Sequence, residues 1–82
     1  MQQRSCLVCS AQKVDLDHIK TRGAGGSDDE WNLQPLCRLH HAERHRIGLT
    51  SFAMKYQQVR NYLYGNGWTI VDEFGVKKVR RL

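Results

Sequence analysis

The chain has one proline, Pro35, no low-complexity tract and no internal repeat, so nothing in its composition marks a linker or a repeat array. No apolar run approaches the roughly 18 residues of a membrane span, which excludes a transmembrane helix and leaves no membrane partner to expect. Eighty-two residues exclude a multidomain enzyme and point to a single domain over 1–82. A chain of that length buries only roughly 60 % of the surface its unfolded form exposes, so a disulfide, a metal or a partner is needed to hold it. Three cysteines cannot all pair with one another, and no secretory leader precedes them. The expected compartment is therefore the reducing cytoplasm, where clustered Cys and His read as metal ligands more readily than as disulfides.

Acidic residues are also scarce, 8 against 13 Lys and Arg, for a formal net charge of +5. The excess is uneven. Residues 17–46 balance to zero, whereas 47–82 carry +4, and Lys77, Lys78, Arg80 and Arg81 fall in the last six positions. Such an end suits a polyanion, although a run of this kind is equally a solvated tail.

Cys6-Leu-Val-Cys9 reads as a tight knuckle and Val14 to Lys20 as a short strand ending in Asp17-His18. The glycines of Arg22-Gly-Ala-Gly-Gly-Ser-Asp-Asp29 dissolve any helix and mark a loop, and Asn32 to Leu36 returns as a second extended segment. Cys37 to Ile47 has helical composition, and Gly48 stops it. A further helix is predicted from Thr50 or Ser51, with Phe52, Tyr56, Val59 and Leu63 on one apolar stripe that core packing explains better than a ligand site. Gly65-Asn66-Gly67 ends it, and Trp68–Val71 with Val76–Val79 suggests a small hairpin turning near Glu73-Phe74-Gly75. The fold class expected is small α+β, with a core over 6–48 and a C-terminal helix, hairpin and basic tail over 49–82.

Cys6-x2-Cys9 and Cys37-x2-His40 are half-sites of equal internal spacing, 27 residues apart. A two-residue gap lets one turn offer two ligands to a tetrahedral ion, so these four read as a structural Zn²⁺ site that uses every cysteine. Their plain alternative is packing alone. His41 and His45 lie four apart on the predicted helix, where their imidazoles share a face and can share a metal. His40 is about 100° round the helix and points elsewhere; were His41 the zinc ligand, His40 would be spare and His45 would lack its neighbour.

Asp17-His18-Ile19, the glycine loop Gly23-Ala-Gly25-Gly26, Asn32-Leu33, Pro35-Leu36-Cys37, and His41-x3-His45 followed by Gly48 together resemble the HNH endonucleases, of the ββα-metal or His-Me finger class, over about Cys6 to Gly48. The zinc-clipped form is similar to small phage and prophage members. The resemblance implies His18 as general base, Asn32 as the residue that braces the strand carrying it, and Asp17 and His41 as ligands of a catalytic divalent ion, with His45 as the additional helical ligand of colicin-type nuclease toxins. Two departures are visible: the second zinc pair ends in His40 where many members have Cys, and Ala42-Glu43-Arg44 stands where a basic residue commonly follows the last motif His.

The residues themselves suit such chemistry. Phosphodiester hydrolysis needs a water deprotonated near neutral pH, which an imidazole suits. It also needs a cation to neutralise the phosphate and the departing 3′ oxygen. A site with imidazole ligands takes Mn²⁺, Ni²⁺ or Zn²⁺ at least as well as Mg²⁺. Adjacent strand residues face opposite ways, so Asp17 and His18 converge only if the strand ends or kinks there.

DNA is the expected partner, with Lys20, Arg22, Arg44, Arg46, Lys77, Lys78, Arg80 and Arg81 as candidate phosphate contacts. Little sequence specificity is expected unless the chain forms a homodimer or a phage protein targets it. Singly, the residues have ordinary readings: Asn32 a turn residue, His45 a helix-end cation, Asp17 a cap, Glu43 a solvated residue or a hydrogen-bond partner of a metal-bound His. The rival function is a non-catalytic zinc module that binds nucleic acid or protein.

Overall fold

The computed structural model describes residues 4–82. Strand β1 (Asp15–His18) pairs antiparallel with β2 (Leu33–Leu36), and helix α1 (Arg38–Ile47) follows one residue later. Helices α2 (Leu49–Lys55) and α3 (Gln57–Gly65) then lead into a second antiparallel pair, β3 (Trp68–Glu73) with β4 (Val76–Arg81). This is the small α+β fold expected, with the ββα unit at its front.

The β1–β2 connection carries two single 3₁₀ turns, Arg22–Ala24 and Glu30–Asn32, and Asn32 organises it. Buried Asn32 accepts from the Lys20 amide at 2.8 Å and donates to the carbonyls of Lys20 and Ser27 at 3.0 and 2.6 Å. One amide side chain thus ties both limbs of the loop. Gly26 is required beside it, because a Cβ there would lie 1.8 Å from the Lys20 carbonyl oxygen.

Gly48, at φ +89°, breaks the chain between α1 and α2, which Cβ-bearing residues resist. The core gathers Cys6, Ile19, Leu36, Phe52, Ala53, Val59, Leu63 and Trp68, so it spans the ββα unit, both later helices and the hairpin.

Two expectations are corrected. The helix read as continuous through Phe52, Tyr56, Val59 and Leu63 is broken at Tyr56, whose backbone is extended at φ −120°, ψ 113°. No glycine or proline causes the break. Arg60 donates to the carbonyls of Ala53 and Met54 that the break leaves without helical partners, at 3.0 and 2.7 Å. The Tyr56 hydroxyl meanwhile donates to Glu43 at 2.7 Å. Phe52, Val59 and Leu63 are fully buried, but Tyr56 is not.

Second, the predicted hairpin strand runs on through Arg81, so the basic end is strand and not tail, although its four basic side chains stay exposed. Lys77 pairs with Asp72 at 3.8 Å, Lys78 with Glu73 at 3.9 Å, and Arg80 also reaches Glu73. Arg81, opposite Trp68 in register, lies 3.8 Å from the Trp31 ring centre. The hairpin turns through Phe74 and Gly75, both at positive φ (54° and 80°), as a two-residue loop whose twist matches its strands.

Candidate metal centres and nuclease cleft

The first cluster is held by the knuckle and by the start of α1. The Cys6 amide donates to Ala11 O and the Leu7 amide to Pro35 O, which pins the knuckle beside β2. His40 Nδ1 lies 3.1 Å from Cys37 Sγ and 3.6 Å from Cys6 Sγ, and the Cys9 and Cys37 sulfurs are 3.7 Å apart as free thiols. All four ligand atoms fall within 4.8 Å of one another.

Burial opposes a thiolate at Cys6, yet the backbone amides of Cys37, Cys9 and Val8 outweigh it and bring that thiol down to about 6. The Ala11 amide favours the Cys9 thiolate, but burial and the crowding sulfurs of Cys6 and Cys37 together push Cys9 up. A cation relieves that crowding, and three sulfurs with one imidazole nitrogen fit zinc.

The second cluster sits on the other side of the same helix. His41 Nε2 and His45 Nε2 are 3.1 Å apart and lie 3.2 and 3.3 Å from a single carboxylate oxygen, Asp17 Oδ1. These three groups can also hold a metal, and with only three ligands the site stays open. The other carboxylate oxygen of Asp17 is committed: Gln34 Nε2 donates to Oδ2 at 2.7 Å and Arg44 Nε at 2.9 Å. Asp17 is therefore buried with one oxygen anchored and one aimed at the imidazoles. Asp15 Oδ2 stands 3.3 Å from His41 Nδ1, within reach to accept its proton and turn Nε2 inward.

His18 is the last residue of β1, so the strand ends where the two adjacent side chains must converge. Asp17, His18, Arg22, His41 and His45 all line one cleft of about 260 Å³. His18 Nε2 is 2.8 Å from Asp28 Oδ1, and Arg22 grips the same carboxylate through both oxygens at 2.9 Å. The hydrogen bond from His18, then that from Arg22, holds the Asp28 carboxyl below its usual range.

Among the candidate phosphate contacts, Arg44 is placed unlike the rest. It is buried, paired with Asp17, and directed by its other nitrogen at the carbonyls of His18 and Ile19, both 3.3 Å away. Its chemistry here is to fix the end of β1, and little of it is left exposed. Lys20, Arg22 and Arg46 are exposed, Arg46 lying 3.7 Å from Glu43. Glu43 accepts from Lys55 and Tyr56, with the His40 imidazole nearby but not hydrogen-bonded to it.

Asp15, Asp28 and Gln34 were not singled out in the sequence. Asp15 carries one signal, standing two residues before Asp17 on the same strand face. Gln34 is found only through the register that sets it opposite Asp17, and Asp28 only through the folding of the glycine loop.

A ββα unit with an aspartate and a histidine at the end of its first strand and two histidines on its helix is the arrangement of the ββα-metal nucleases. The chain matches, over residues 1–78, the family described as "Putative HNHc nuclease", and it belongs to that HNH family. Membership implies a nucleic-acid substrate. No curated protein and no solved structure matches the chain.

Proposed function

We propose that the protein is a metal-dependent DNA endonuclease that hydrolyses phosphodiester bonds, with His18 as general base and Asp17, His41 and His45 as ligands of the catalytic divalent ion. Cys6, Cys9, Cys37 and His40 hold a structural Zn²⁺. The observation that carries this reading is the convergence of Asp17, His18, His41 and His45 on one cleft from two separate elements.

When bound, the ion neutralises charge on the phosphate and on the departing 3′ oxygen. Mn²⁺, Ni²⁺, Zn²⁺ and Mg²⁺ all suit a site of one carboxylate and two imidazoles, the first three better than the last. The remaining tasks fall to side chains. An ionised carboxylate only accepts hydrogen bonds, so the Asp28 contact places the proton of neutral His18 on Nε2 and leaves the Nδ1 lone pair for water. His18 Nδ1 takes the proton of the attacking water, and Asp28 steadies the imidazolium that results. Arg22 keeps Asp28 in place and adds positive charge at the mouth of the cleft. Asn32 braces the loop that begins directly after His18.

Replacement His18→Ala tests the assignment. Metal-dependent plasmid nicking should fall about 10²- to 10⁴-fold, the usual worth of a positioned general base, with zinc content and melting temperature unchanged. A variant that nicks as fast as the parent sinks the base assignment and favours a non-catalytic zinc module.

A further inference from the structure

A second recess of about 520 Å³ opens on the other side of the loop that forms the nuclease cleft. Its lining includes Trp31 and Trp68 with Ile19, Leu49 and Val79, and the basic residues Lys20, Arg80 and Arg81, and no acidic residue is among those that line it. The two indoles lie 6.0 Å apart at 42°, and Arg81 lies over Trp31 at 3.8 Å. Gly67 leaves room for that arginine, since a Cβ there would come within 3.0 Å of its guanidinium. Nothing in the proposed hydrolysis uses this recess.

We propose that the recess seats an unpaired nucleotide of the substrate strand, so that the enzyme acts on DNA with a single-stranded segment beside the cut. This rests on the nuclease reading and names its substrate class. Three features support it.

The first is chemical: aromatic faces beside arginine in a positive groove are what single-stranded DNA uses, by base stacking and phosphate attraction. The second is selective. Bases inside a duplex have both faces covered by their neighbours, and only an unpaired base can offer a face to the Arg81 guanidinium that lies over Trp31, Trp68 itself being buried. Trp68 Nε1 already donates to Trp31 O at 2.7 Å and is not free to read a base edge, so the recognition proposed is stacking, which tolerates any sequence. The third is positional. Thr21 and Arg22 line the nuclease cleft, while Lys20 and Gly25 to Ser27 line the recess. One short loop is the wall between them, so the recess lies beside the path of a strand that leaves the cleft.

Trp31 and Trp68 are the only tryptophans in the chain, which makes intrinsic fluorescence a direct reporter of the recess. The experiment titrates the zinc-loaded, full-length His18→Ala protein with a fifteen-nucleotide oligothymidylate and with a blunt duplex of equal length. In parallel, the parent protein is assayed on blunt duplex and on the same duplex carrying a single-stranded flap.

Quenching by oligothymidylate and not by duplex is expected, with binding about tenfold weaker in Arg81→Ala, the scale of one lost stacking contact. Faster cutting of the flap substrate should accompany it. If Arg81→Ala melts early, Lys20→Glu on the exposed loop takes its place, with the same tenfold expectation. Equal quenching by duplex, or quenching that neither variant weakens, overturns the proposal. Cutting by the parent without any quenching also overturns it and leaves the nuclease reading standing. Quenching without cutting removes the nuclease reading and keeps the recess as a single-strand site.

Discussion

Helix α1 serves two metal-capable clusters from consecutive residues, and they differ in what they leave open. His40 joins three cysteines in a group of four, which completes a tetrahedron. His41, with His45 one turn on, joins a single carboxylate in a group of three that lines a cleft. The chain reaches both because neighbouring helix positions diverge by about 100°. Ligand count separates the roles: a closed shell can only staple, while an incomplete one has positions for phosphate and water. The supports differ as well. Backbone amides stabilise the Cys6 thiolate, whereas Asp17 is held by the buried side chains Gln34 and Arg44.

The contrast is broken most severely from the zinc side. Cys6→Ser should remove the structural zinc and unfold the chain, because zinc at such a site contributes on the order of 10 kcal/mol, as much as a small domain's whole net stability. Circular dichroism with metal analysis reads both effects together. A Cys6→Ser protein that stays folded without zinc would mean that the core holds unaided.

On the open side, Arg44→Ala should lower stability by about 3–5 kcal/mol in urea unfolding, because it leaves Asp17 as a buried carboxylate with only Gln34 to steady its anchored oxygen. Catalytic-ion affinity should fall with it, since Oδ1 loses its aim. A smaller change sharpens the comparison without unfolding anything: Asp15→Asn should weaken ion binding at Asp17, His41 and His45 by about 10- to 100-fold while leaving zinc stoichiometry at the cysteine cluster intact. Calorimetric titration with Mn²⁺ measures it, and an unchanged affinity would remove Asp15 from the site.

These residues mark where the sequence stops being legible. The pairs Cys6/Cys9, Cys37/His40 and His41/His45 and the Gly48 stop are local patterns, visible as spacing, whereas Asp17 joins its cluster only through the family resemblance. Arg44 looked like any helical base because burial depends on what β1 presents to that face of α1, and β1 presents a carboxylate and two carbonyls. The Tyr56 break has no local breaker; a hydroxyl reaching Glu43 and an arginine covering free carbonyls compensate for it, and both are tertiary. The hairpin is legible as far as Val79, and Arg80 and Arg81 read as a tail by charge, yet Trp68, Ile70 and Val79 supply enough apolar contact to carry the strand through them.

The smallest expected effect lies outside both clusters. Glu43 links α1 to the end of α2, accepting from Lys55 Nζ at 2.6 Å and from the Tyr56 hydroxyl at 2.7 Å. Lys55 first and Tyr56 second hold its carboxyl below the usual range. A depressed carboxylate binds protons less readily in the folded chain than in the unfolded one. Its stabilisation is therefore complete above the ordinary carboxylate range and is lost as pH falls below that range and through the depressed folded value. At the alkaline end the same pair raises Lys55, so its share persists past neutrality and fades only when that amine deprotonates. Glu43→Gln should accordingly lower the melting temperature by a few degrees at pH 7 and by less at pH 3, with zinc content and nicking retained. A loss of equal size at both pH values would show that Glu43 acts through packing and not through its charge.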